Sequence, residues 1–225
     1  MRSTLPVLAA LAIAAPLAAQ QQQAKEKDPT STVAAAPMPD GWSQRLDDKD
    51  AAKTAKFITM GKGYHVTSGG AGIYYSAKDT QPNEPFTIMA NFRQTAKNVG
   101  HGDHGEAFGL FAGGRDLNDA AKETYFYFLV RQDGMFLINH RAGKEVHKIV
   151  DWTANPAIVK FDDKANAAND LAIKVGADSV RFLVNNQQVH AISRNEISDV
   201  SGQAGFRVNH NLDVHVGNFM VMKGM

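Results

Sequence analysis

Residues 99–114, VGHGDHGEAFGLFAGG, place His101, Asp103, His104 and Glu106 within six positions. Zinc takes imidazole nitrogens and carboxylate oxygens, whereas calcium prefers several carboxylates and carbonyls. The two histidines therefore argue against calcium. A His-x-x-His pair in a glycine-rich segment also lacks the fixed presentation that a helix gives to histidines four residues apart. Asp103 and Glu106 lie three apart and do not share a face even when extended. They cannot supply the carboxylate pair of a glycosidase, held at about 5–5.5 or 6.5–9.5 Å. His101 and Asp103 read as solvated loop. His104 and Glu106 directly precede the strand-like run 108–112, and Glu106 shares the parity of Phe108 and Leu110. If that strand lines a ligand face, both residues stand at its rim. An imidazole or a desolvated carboxyl there could reach the near-neutral pKa that proton transfer requires, which makes His104 and Glu106 the candidate catalytic residues.

A second polar cluster, NHNLDVH at 209–215, holds His210, Asp213 and His215. Asp213 and His215 share a parity and could pair on one sheet face. A divalent metal would have to draw on His104, His210 and His215, and no cofactor is otherwise indicated. A Gly-x-Ser-x-Gly turn is absent, and the glycines of GKG (61–63) and SGGAG (68–72) precede no helix, so neither a serine triad nor a phosphate loop is indicated.

Sugars call for flat rings against their apolar faces and polar groups for their hydroxyls. YFYFLVR (125–131) alternates, with Phe126, Phe128 and Val130 on one side and Tyr125, Tyr127, Leu129 and Arg131 on the other. The second side carries hydroxyl and guanidinium groups, so Tyr125, Tyr127 and Arg131, with His104 and Glu106, are the candidate ligand-binding residues. His140 shares the parity of Phe136 and Ile138 and reads as a core or sheet-edge histidine. Trp152 reads as an anchor for a loop, and Trp42 as a seal at the start of the domain.

Strands must position these groups. Period-two alternation over four to eight residues marks half-buried strands at 86–93, 125–131, 171–175 and 180–184, and about twelve such runs follow residue 56. Asp133-Gly134 and Asn185-Asn186 supply the positive φ that hairpin turns require. In the last run Val214 and Val216 share one parity while Phe219 and Val221 have the other. A β-bulge at Gly217-Asn218 would restore their inward direction. Residues 116–123 and 155–170 are the only helix candidates, and both read as excursions between strands. Many short antiparallel strands without helical crossovers predict a single all-β, two-sheet sandwich with little helix.

The first nineteen residues combine Arg2 with a short alanine-rich apolar run, which reads as a secretory signal cleaved after Ala19. Residues 20–40 lack an apolar period and read as a disordered linker, leaving a domain over 41–225. There is no cysteine, so no disulfide framework and no lipidated cysteine. The chain carries 24 Lys and Arg against 23 Asp and Glu, with only Arg2 in the leader. A balanced chain argues against nucleic acid, and no segment suits membrane insertion. An exported, periplasmic or extracellular protein with a neutral small-molecule partner is expected.

YFYFLVRQDGMFLINHRAG, LAIKVGADSVRFLVNNQQV and AGFRVNHNLDVHVGNFMV together resemble the concanavalin A-like jelly-roll domains of exported bacterial proteins. The resemblance is strongest to those grouped with 3-keto-disaccharide hydrolases (DUF1080-like), and it covers about residues 41–223. It implies two stacked antiparallel sheets, one of them concave, with carbohydrate as the usual ligand class. The Glu-x-Asp-x-x-Glu strand of jelly-roll β-glucanases is missing. The leading expectation is a lectin-like protein with its ligand on the concave sheet. The alternatives are a 3-keto-glycoside hydrolase or lyase, and a structural or interaction module of the cell envelope.

Overall fold

The computed structural model describes residues 38–48, 50, 54–81, 85–95, 105–161, 167–197 and 200–224. The leader, nearly all of the linker, and His101, Asp103 and His104 lie outside those residues.

Fourteen strands form among the described residues. In chain order they are β1 (Trp42–Leu46), β2 (Lys56–Met60), β3 (Gly63–Thr67), β4 (Gly72–Gln81), β5 (Phe86–Gln94), β6 (Ala107–Arg115) and β7 (Thr124–Arg131). Then come β8 (Met135–Ala142), β9 (Glu145–Ala154), β10 (Ala168–Val175), β11 (Ser179–Val184), β12 (Gln187–Ser193), β13 (Gly202–Val208) and β14 (Asp213–Lys223). They make two seven-stranded antiparallel sheets, ordered β1-β4-β13-β6-β7-β8-β9 and β12-β11-β10-β5-β14-β3-β2.

Alternation decides which side chains lie between the sheets. Tyr74, Leu110, Phe126, Phe128, Ile138 and Phe206 face inward from the first sheet, and Phe86, Ile88, Phe92, Ile173, Phe182 and Val214 from the second. Each is essentially inaccessible to water, and each such burial contributes about 1.5–3 kcal/mol. Trp42 closes one end, its ring centroid within 5.4 Å of those of Phe57, Tyr64, Phe206 and Phe219. Its indole N–H donates to the Tyr64 hydroxyl at 3.0 Å.

The turns follow their residues. Gly134 has φ 91°, and Asn185 and Asn186 have φ 49° and 64°. Two consecutive residues with positive φ match the twist of the β11–β12 hairpin. Asn186→Val is expected to lose about 1–2 kcal/mol, because a β-branched residue resists the left-handed region; urea unfolding measures it. The β14 register shifts between Gly217 and Met220, with Asn218 at φ 52°. Phe219 and Val221 then pack on the core, as the parity switch requires.

Two expectations are corrected. Among the described residues neither 116–123 nor 155–161 is helical. Asp116 has φ 50° and accepts from Asp119 N at 2.8 Å, giving successive turns. Beyond Pro156, Asn169 clasps both the N–H and the carbonyl of Val159, at 2.8 and 3.0 Å, drawing the backbone away from helical pairing. Secondly, β7 is not half-buried. Its outward residues Tyr125, Tyr127 and Leu129 join Ile73, Tyr75, Phe111, Leu117 and Leu137 in a second apolar cluster.

Candidate functional site

The outer face of the first sheet gathers the polar and aromatic groups. Pairing lines up Tyr75, Gly205, Phe111, Tyr127, Asn139 and Lys148 across six strands. The row can close because Gly205 has no side chain: a Cβ there would overlap the Tyr74 carbonyl oxygen and stand 2.6 Å from Phe111 Cε1.

Three guanidiniums and two carboxylates surround this row. Arg207 Nη2 meets Asp47 at 2.6 Å, Arg45 Nη1 meets Asp47 at 2.9 Å, and Arg45 Nε meets Glu123 at 2.5 Å. Arg141 Nε also donates to Glu123, at 2.8 Å. The Tyr125 hydroxyl accepts from Arg207 at 3.1 Å and Arg45 at 3.4 Å, and the Arg207 guanidinium lies 5.4 Å from the Tyr127 ring centre. Glu123 is fully enclosed and Arg207 is 7% exposed, so their charges are tolerable only as a paired set.

Burial raises the Asp47 carboxyl, but the charge and hydrogen bond of Arg207, with Arg45 and Arg141, outweigh it and hold the group below the usual carboxylate range. Glu123 shifts the other way, since burial there outweighs Arg45 and Arg141. The stability that Asp47 contributes is present above its unfolded pKa of about 3.9 and lost as pH falls through the depressed folded value. Glu123, with a raised pKa, regains stability on protonation and offsets part of that loss. Asp47→Asn is expected to be less stable than the parent at neutral pH and to show a flatter fall below about pH 4, read from urea midpoints across pH.

At the far side of the face, the Arg131 guanidinium lies 4.5 Å from the Trp152 ring centre and pairs with Asp133 at 2.5 Å. Trp152 belongs to β9 and packs on the outer cluster; it does not anchor a loop. Asn139 donates to the Tyr127 hydroxyl at 3.1 Å, while its Oδ1 is buried and has no partner. An unmet buried acceptor costs about 1–3 kcal/mol.

Tyr125, Tyr127 and Arg131 therefore share one face, but the first two are 1% and 6% exposed and their hydroxyls are engaged within the protein. Glu106 is elsewhere: it faces the same way as Phe108, is 6% exposed and accepts from His210 N at 3.2 Å. That bond fixes the 209–212 loop to the start of β6. His215 stands on the outer face of the second sheet, and Asp213 pairs there with His65, at 3.2 Å, across the strands. Among the described residues no three His, Asp or Glu side chains converge on a metal position; His104 lies outside them. His140 is half-buried beside His147, with ring centres 5.8 Å apart, and burial together with His147 lowers its pKa.

Arg207 and Asn139 escaped the sequence reading although parity marks both, as outward neighbours of Phe206 and Ile138. Arg45, Asp47 and Glu123 carry no such signal. Two larger cavities, of about 520 and 620 Å³, lie on the second sheet's outer face, the first lined by Met89, Leu183, Met220 and Met222.

The fold is the concanavalin A-like jelly roll. No protein-family model matches the sequence, and no curated protein matches it. Among solved structures, the carbohydrate-binding module CBM66 from Bacillus subtilis is 12% identical, with 83% of this chain and 100% of that one covered and a TM-score of 0.59. The β-glucanase of Bacillus licheniformis is 13% identical over 85% of this chain and 96% of its own, with a TM-score of 0.56. The metal-free carbohydrate recognition domain of Emp46p is 11% identical over 82% of this chain and 89% of its own, also at 0.56.

Proposed function

We propose that this chain is an exported carbohydrate-binding domain whose saccharide lies against the outer face of the first sheet, between Asn139 and the Arg131–Trp152 stack. The observation that carries this reading is the Arg131–Trp152 stack on the face that also holds the unpartnered Asn139 Oδ1. The indole offers a flat surface to the apolar face of a pyranose, Arg131 donates to ring or hydroxyl oxygens, and a shift of the Asn139 side chain toward the ligand lets a sugar hydroxyl supply its missing donor. A neutral ligand suits a face whose Asp47 and Glu123 are already paired with arginines. The jelly-roll neighbours named for carbohydrate binding support the same class.

Glycan-array screening followed by calorimetry on the purified chain tests the proposal. Asn139→Leu and Trp152→Ala are each expected to weaken the best saccharide at least about tenfold. In a Trp42→Phe background, Trp152 fluorescence should respond to that saccharide and to no other class of additive. Absence of binding across broad glycan and envelope-polymer panels overturns the reading. Turnover of 3-keto-disaccharides, abolished by Glu106→Gln, would favour the hydrolase resemblance instead. Capture of a protein partner without any response to saccharides would favour an envelope interaction module.

A further inference from the structure

The second sheet presents three basic side chains abreast. His215 of β14 lies directly opposite His65 of β3 on one side and Arg93 of β5 on the other. All three point away from the core, because Val66, Phe92, Val214 and Val216 occupy the inward positions. Like charges directly opposite on neighbouring strands are destabilising. In the adjacent row of the sheet Gly63 pairs with Gly217, and Gly217 with Asn91. Gly217 lines the 620 Å³ cavity together with Lys62, His65, Arg93, His215, Asn91 and Asn218, while Gly63 is buried, with His215 Nε2 3.2 Å from where its Cβ would stand.

Two carboxylates stand on this face, and both are already served: Asp170, opposite Asn91, accepts from the Asn91 side-chain amide at 2.8 Å. Asp213 accepts from His65 Nε2 at 3.2 Å, from Thr67 Oγ1 at 3.3 Å and from Thr95 Oγ1. Arg93 is exposed, and His65 Nδ1 is buried without a partner. The charged and titratable groups around His215 are thus His65 of β3, Lys62 of the preceding turn, Lys56 at the start of β2, Arg93 of β5 and Asp213 of its own strand. Burial first, then His65 and Arg93, hold His215 below the ordinary imidazole pKa. An anion above Gly217 would add an attraction that opposes the repulsion among these cations.

We propose that this cavity is an oxyanion site that takes a carboxylate, sulfate or phosphate group above Gly217, flanked by Arg93, His215 and Lys62. The site is separate from the proposed saccharide face and stands or falls independently of it. Because His215, held below the ordinary imidazole pKa, gains charge on acidification, binding strengthens toward low pH.

The test is titration of the purified chain with inorganic sulfate, inorganic phosphate and glucuronate. Imidazole NMR signals are followed at about pH 5.5 and about pH 8, at ionic strength held constant with chloride. Saturable shifts of His65 and His215 are expected, tighter by about tenfold at the lower pH. The most tightly held of the three probes names the source of the group. Arg93→Ala should remove the response. Gly217→Leu should also remove it while keeping every charge. A Cβ at Gly217 has only contacts of 4.0 Å, so that variant is expected to fold, and an unchanged urea midpoint checks it. Shifts no larger than those caused by chloride, or shifts that survive both substitutions, overturn the proposal.

Discussion

Arg207→Met is expected to destabilise the domain by about 3–5 kcal/mol, the cost of removing one member of a buried ion pair. The guanidinium neutralises Asp47 at 2.6 Å, donates to Tyr125 at 3.1 Å and covers the Tyr127 ring. Methionine fills similar volume but leaves Asp47 with Arg45 as its nearest cation and the Tyr125 hydroxyl short of its better donor. Replacing both charges should cost much less, because well-packed apolar groups often match a buried pair. The double variant Asp47→Leu/Arg207→Met is therefore expected to recover part of the loss. Equal urea midpoints for parent and Arg207→Met would remove the network from the account of stability.

Gly205→Ala is expected to cost about 3 kcal/mol, at the upper end of overpacking effects. The new methyl would overlap the Tyr74 carbonyl oxygen and meet the Phe111 ring at 2.6 and 2.9 Å. A ring can turn, but a carbonyl engaged in a sheet cannot, so β13 and β4 must separate where the Tyr75–Gly205–Phe111 row crosses them. Marginal domains hold only about 5–15 kcal/mol in total, so the variant should unfold at markedly lower urea. Saccharide affinity should fall with it only if the distortion reaches Tyr127 and Asn139, which calorimetry on the folded fraction reads.

Strand parity made much of the architecture legible. The inward sets Phe126–Phe128–Val130 and Phe86–Ile88–Ala90–Phe92 are core as their alternation requires. The conflict between Val216 and Phe219 located the β14 bulge, because a sheet with one buried face cannot tolerate a change of parity without an extra residue. The outer face was harder to read. Parity placed Tyr125, Tyr127 and Arg131 together, but it says nothing about what packs over a face, and both tyrosines are buried. The ion network draws Arg45, Glu123 and Arg207 from segments far apart in sequence, joined only by the β1-β4-β13-β6-β7 order, which local pattern does not specify. The ligand-rich stretch at 101–106 contributes Glu106 among the described residues, and that carboxylate holds a backbone N–H of the 209–212 loop.

In the proposed function, saccharide meets the Asn139 and Trp152 side of the first sheet. A 15N-labelled sample titrated with the best saccharide from the array tests it directly, through the Asn139 side-chain amide, the Trp152 indole N–H and the Arg131 guanidinium N–H. These signals are expected to shift together and saturably, while the Trp42 indole, bonded to Tyr64 inside the sandwich, stays in place. Shifts confined to Asn91, Asn186 and Asn218, around the cavities of the second sheet, with Asn139 and Trp152 unmoved, would contradict it.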